Sequence, residues 1–95
     1  RPSSGFFVDS LGWVYYKLGD PARAVGYLER ATELEPSDPE ITGHLGDVYW
    51  ALGRREEAMF KWRLALTLSN DAEEQALLER RLRTGLTPEE MPGSN

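Results

Sequence analysis

The stretch L-G-W-V-Y-Y-K-L-G at residues 11–19 returns as L-G-D-V-Y-W-A-L-G at residues 45–53, an offset of 34 residues. At the same offset Ala24 falls on Ala58, Ala31 on Ala65 and Leu34 on Leu68, with no gap. Self-similarity at such a period marks a stacked architecture, in which each unit buries its apolar face only against its neighbours. Within each unit the apolar residues step by three and four. Phe7, Leu11, Val14, Tyr15 and Leu18 make one stripe, then Ala24, Leu28, Ala31 and Leu34 a second. Ile41, Leu45, Val48, Tyr49 and Leu52 repeat the first, and Ala58, Trp62, Ala65 and Leu68 the second. That period belongs to helices.

The breaks fall between the stripes. Gly19 suits a left-handed helix end, and Asp20-Pro21 supplies an N-cap with proline in the first turn. Glu35-Pro36-Ser37-Asp38-Pro39 closes the unit, since proline disfavours helix in the residue before it. Gly53 and Ser69-Asn70-Asp71 repeat these stops. A fifth helix follows from about Ala72 to Thr84, rich in charge, with only Ala76, Leu77, Leu78 and Leu82 to pack. A repeat array needs such a polar-faced end. The expected organisation is all-α: a helical hairpin at 5–38, a second at 39–70, a capping helix at 71–84 and a flexible tail at 85–95. Gly12 and Gly46 stand inside helices, where each costs about 1 kcal/mol against alanine. Close approach of the partner helix repays that, with Ala24 and Ala58 expected opposite them.

At Val8, Leu11-Gly12, Tyr15, Gly19, Ala24, Leu28, Ala31 and Pro36, and again at Thr42, Leu45-Gly46, Tyr49, Gly53, Ala58, Trp62, Ala65 and Asn70, the chain resembles the tetratricopeptide-repeat (TPR) family. Val8 and Thr42 stand where the family usually has tryptophan, and Asn70 where it has proline. The resemblance implies a TPR solenoid that binds proteins or peptides in a concave groove lined by the first helix of each hairpin. It also extends to the last repeats of long bacterial TPR proteins, some of them exported or lipid-anchored. The expected compartment is therefore cytoplasmic or periplasmic and envelope-associated, and the expected setting a larger scaffold.

Composition narrows the functions. A net charge of −5 repels phosphate backbones, which argues against nucleic acid as a partner. No apolar run approaches the roughly 20 residues a membrane span needs, so direct membrane insertion is not expected. The start, Arg1-Pro2-Ser3-Ser4-Gly5, has neither an initiator methionine nor the apolar core of a signal peptide and reads as a cut from something longer. Without cysteine there is no disulfide or thiolate metal site. No cofactor is called for: neither G-x-x-x-x-G-K-[ST] nor G-x-G-x-x-G occurs.

Catalysis is not expected either. His44 is the single histidine, with Asp47 its nearest acid by helical spacing, a poor metal site. Asp9, Ser10 and His44 form a superficial triad set, but Ser10 sits within a helix without an elbow or oxyanion hole. Arg54-Arg55-Glu56-Glu57 reads as a solvated turn and first helical turn.

Trp13, Tyr16 and Trp50 fall off the packing stripes. The family's groove positions correspond here to Phe6, Asp9, Ser10, Trp13, Tyr16 and Lys17 in the first repeat, and to Glu40, Gly43, His44, Asp47 and Trp50 in the second. Exposed aromatics would supply affinity there, with Asp9 and Asp47 fixing ligand direction. The family's lysine–asparagine clamp for a C-terminal carboxylate is missing, since Asp9, Trp13, Gly43 and Asp47 occupy the matching places. An acidic, aromatic groove favours a basic or apolar ligand. The alternative is structural self-assembly through the repeat end, where Phe7, Val8 and Val14 would face another chain.

Overall fold

The computed structural model describes residues 4–93; the remainder of the expected chain start and tail, residues 1–3 and 94–95, lies outside the described residues. Five helices run in sequence: α1 Ser4–Lys17, α2 Pro21–Leu34, α3 Pro39–Ala51, α4 Arg55–Leu68 and α5 Ala72–Thr84. A single 3-10 turn, Pro88–Glu90, follows, and no strand occurs among the described residues. The packing is pairwise and sequential, α1 on α2, α2 on α3, α3 on α4 and α4 on α5.

Local chemistry sets the boundaries. The side chains of Asp20, Asp38 and Asp71 accept from the backbone N–H groups of Arg23, Ile41 and Glu74, at 3.1, 3.0 and 3.0 Å. Each satisfies a donor that the first helical turn leaves free, worth about 1 kcal/mol. At the hairpin turns the N–H groups of Asp20 and Arg54 reach back to the carbonyls of Tyr15 and Tyr49, both at 2.9 Å, with Gly19 and Gly53 left-handed between.

Ala24, Leu28 and Ala31 of α2, Leu45, Val48 and Tyr49 of α3, and Ala58, Trp62 and Ala65 of α4 form the core, closed at one end by Leu78 of α5. The helix glycines do admit their partner helices closely, but the partner differs from expectation. Ala24 and Ala58 are fully buried, and the Ala24 carbonyl does come close to Gly12, yet the side chains pressed on Gly12 are those of Leu28 and Tyr27 and the one pressed on Gly46 is Trp62. A methyl at Gly46 would stand 2.6 Å from the indole ring. The large residue of each second helix, not the small one, fills the space the glycine leaves.

Two further expectations are corrected. Most of the first stripe does not face the core: Phe7 is 65% and Val14 56% exposed, as is Leu18 just past α1 at 75%, while Tyr15 packs against the core and α1 buries Gly5, Asp9, Gly12 and Tyr16. The cause is position. α3 lies between α2 and α4, so the equivalent Ile41, Leu45 and Val48 are covered, whereas α1 packs on α2 and touches α3 along one edge, which leaves its other side uncovered among the described residues. Nor does the chain run free after Gly85. Leu86 is buried, Met91 packs against the core, and Glu90 pairs with Arg80.

The glycines give a paired prediction. Gly46→Ala should lower stability by about 1–3 kcal/mol despite alanine's better helix propensity, because the indole cannot yield. Gly26→Ala, in α2 with nothing within 4 Å of the new methyl, should raise it by about 0.5–1 kcal/mol. Urea melts of both variants check the opposite signs.

Candidate functional site

Along the side of α1 and α3 that faces α5, the two first helices are joined by side chains rather than by close backbone packing. Asp9 Oδ1 lies 2.9 Å from His44 Nδ1. Trp13 stacks on the His44 ring, centroids 3.8 Å apart, and leans on Tyr16 at 4.6 Å. Glu40 approaches the other ring nitrogen of His44 at 3.8 Å. Between these groups and α5 opens a cleft of about 340 Å3. Its floor is Trp13, Gly43 and Leu78, and its rim Glu40, Glu73, Glu74 and Leu77.

The inner end of the cleft is a buried charge network. Asp47, 3% exposed, accepts from Trp62 Nε1 at 3.0 Å and from Arg81 Nη1 at 3.1 Å to each oxygen. Burial pushes its carboxyl up to about 6, against the lowering pull of Arg81 and Trp62. Desolvation thus outweighs the pairing, although the group remains ionised at neutral pH. Tyr16, 2% exposed, lies nearby with its phenol pushed up, first by burial and then by the Asp47 charge.

The structure therefore divides the residues read from sequence as groove-lining. Trp13, Glu40, Gly43 and His44 meet at the open cleft. Phe6, Ser10 and Lys17 are exposed on α1. Asp9 and Asp47 are buried and engaged within the chain, on His44 and on Arg81 with Trp62, so neither is free to direct a ligand. Tyr16 is buried, and Trp50 is half-buried against Trp62, centroids 5.4 Å apart, with Arg55 over its other side at 4.6 Å. Ser10 donates to the Phe6 carbonyl at 3.0 Å rather than toward His44. Among the described residues no group of three or more His, Cys, Asp or Glu side chains could hold a metal ion. No helix of the described residues is long and apolar enough to cross a membrane.

A family comparison identifies the repeat: the pattern described as tetratricopeptide repeat matches residues 10–75. The chain belongs to the tetratricopeptide-repeat family. TPR domains are non-catalytic modules whose general role is protein–protein interaction. Searches of curated proteins and of solved structures gave no match.

What sequence reasoning missed in this TPR domain is the contribution of α5. Glu73, Leu77 and Arg81 recur every four residues, with Glu74 and Leu78 beside them, so one face of α5 forms the cleft wall. That spacing was available, but α5 reads as a solvated cap when its charges are taken only as solubilising.

Asp47 generates a pH prediction. A carboxyl raised in the folded state holds its proton more tightly there, so its stabilising contribution is full below the unfolded range, about pH 4, and is lost as pH rises through 6. The stability of the parent relative to Asp47→Asn should fall by about 1–3 kcal/mol between pH 4 and pH 7. Urea melts of both proteins at the two pH values measure that difference and remove the contribution of other carboxyls.

Proposed function

We propose that the cleft between α1, α3 and α5 binds a short segment of a partner protein that presents a basic residue beside apolar ones. One observation carries this reading. An apolar, aromatic floor is bordered by Glu40, Glu73 and Glu74, while Arg81, the one cation in the lining among the described residues, is spent on Asp47. Apolar area gives such a segment affinity, and carboxylates at the rim set its register and speed its encounter. Trp13 is the anchor: a flat ring held in place by His44 and Tyr16 loses little freedom on binding. Glu40 and His44 are contact residues, and Phe6 and Lys17 extend the surface for a longer ligand. Asp9, Tyr16 and Asp47 support this surface from beneath.

A second reading, self-assembly through the repeat end, draws on the exposed Phe7 and Val14, whose equivalents Ile41 and Val48 in α3 are covered by neighbouring helices. Another repeat of a longer scaffold would cover the same residues.

The test uses two labelled peptides of one apolar pattern, one bearing lysine and arginine, the other glutamate, titrated by fluorescence anisotropy. The basic peptide should bind, more weakly at high salt, and Trp13→Ala should weaken it tenfold or more (about 2 kcal/mol) at a temperature where circular dichroism shows the variant still fully helical. Equal binding of the acidic peptide, or indifference to Trp13→Ala, would sink the cleft reading. A stable dimer that Phe7→Ser dissociates would favour self-assembly.

A further inference from the structure

The cleft at Trp13 is open, whereas Tyr16 and Trp50 pack against the segment that follows α5. At Gly85 the backbone turns with φ 69°, and the Trp50 ring lies so close that any β-carbon there would collide with it. From this turn the chain passes back across the ends of α3 and α1. Leu86 is buried at 6% exposure in the cluster that also holds Tyr16, and Met91 packs on the same cluster. Gly93 finishes against the backbone of Gly19, beyond the last turn of α1.

One side chain clasps this segment. Glu90 pairs with both terminal nitrogens of the Arg80 guanidinium and lies 4.0 Å from Arg81. It also accepts from the Thr87 N–H at 2.9 Å and Oγ1 at 3.2 Å, which folds the 3-10 turn around it. Its carboxyl is held down at about 2, first by the Arg80 hydrogen bond, so the clasp stays charged at any ordinary pH. A rival carboxylate, rather than a proton, is what can replace it.

We propose that Leu86–Gly93 is a releasable strap that occupies the Tyr16–Trp50 half of the groove in place of a ligand. This rests on the reading of the concave face as the binding surface. The strap has two apolar anchors, Leu86 and Met91, one charged clasp and a single turn of 3-10 helix. The helices beneath it are locked by a continuous core. Segments with so few buried contacts open at far lower free energy than the domain unfolds. Glu90 and Arg80 remain partly solvent-accessible, so a competitor can reach them.

Release would bare Trp50, Tyr16 and Arg80, with Arg81 still held on Asp47, a surface opposite in charge to the open cleft. Its ligand is a segment with a carboxylate beside apolar residues, the chemistry of Leu86, Glu90 and Met91 themselves. The two halves of the groove then differ in selectivity: basic segments at Trp13, acidic ones under the strap.

Amide hydrogen exchange on the full chain tests the strap without any partner, so its outcome is independent of peptide binding at the open cleft. The reporters are the Glu90 and Met91 amides, bonded to the carbonyls of Thr87 and Pro88 at 3.0 and 3.2 Å. They should exchange well ahead of α3 and α4 amides, and Glu90→Gln should speed them about tenfold while α3 and α4 stay unchanged. The charge reversal Glu90→Arg should act likewise, and Arg80→Glu added to it should recover part of the protection, since the ion pair returns but an arginine side chain cannot accept from Thr87. A labelled peptide of residues 86–93 should then bind Glu90→Arg more tightly than the parent. Three results would overturn the proposal. They are exchange of the strap only with global unfolding, loss of α3 and α4 protection together with the strap in Glu90→Gln, and a peptide that fails to distinguish Glu90→Arg from the parent.

Discussion

The seat of Trp62 against Gly46 is the contact on which the other features of the molecule depend. It brings α3 and α4 together closely enough for the indole to be fully buried, and its N–H reaches Asp47 on the same helix as the glycine. A buried carboxylate with one neutral donor would be costly; a guanidinium makes it tenable. Arg81 supplies that guanidinium and so fixes α5 to α3. Arg81 and its neighbour Arg80 in turn receive Glu90, which holds Leu86–Gly93 against the helices. A packing event in the second repeat thereby determines where that segment lies.

The first repeat contains the same device without this extension. Leu28 sits on Gly12 as Trp62 sits on Gly46, but leucine has no polar atom to spend. The residue equivalent to Asp47 is Trp13, and it stacks on His44 instead of pairing with a cation. The two copies thus use one backbone geometry for different purposes: a charged anchor for α5 in one, and an aromatic platform open to the cleft in the other. The repeat supplies the scaffold, and its departures from repetition supply the chemistry.

The helices were legible because their signals are local: apolar periodicity, aspartate–proline starts and glycine stops each act within a few residues. The stacking of hairpins followed from the period. The direction of α1 was not legible, because Phe7, Leu11, Val14 and Leu18 carry the pattern of a packed face whether or not a neighbour is there to cover it. The status of Asp9, Tyr16, Asp47 and Trp50 was equally hidden. Each meets residues far along the chain: Asp9 meets His44, Asp47 meets Arg81, Trp50 meets Gly85, and Tyr16 shares its buried cluster with Leu86. The strap left no periodic trace, because its order comes from one ion pair and two apolar anchors. In each case a long-range partner decided what local pattern could not.

The exchange rate of the Trp62 indole N–H is the most direct measurement of this account. If the indole is wedged on Gly46 and bonded to Asp47, its proton can reach water only when the whole domain opens. It should then exchange with the same free energy as the most protected amides of α3 and α4. An indole N–H that exchanges as fast as that of an exposed tryptophan, while those amides remain protected, would contradict the account. Trp62 would then not be seated on Gly46, and the route from repeat packing to the placement of Leu86–Gly93 would be lost.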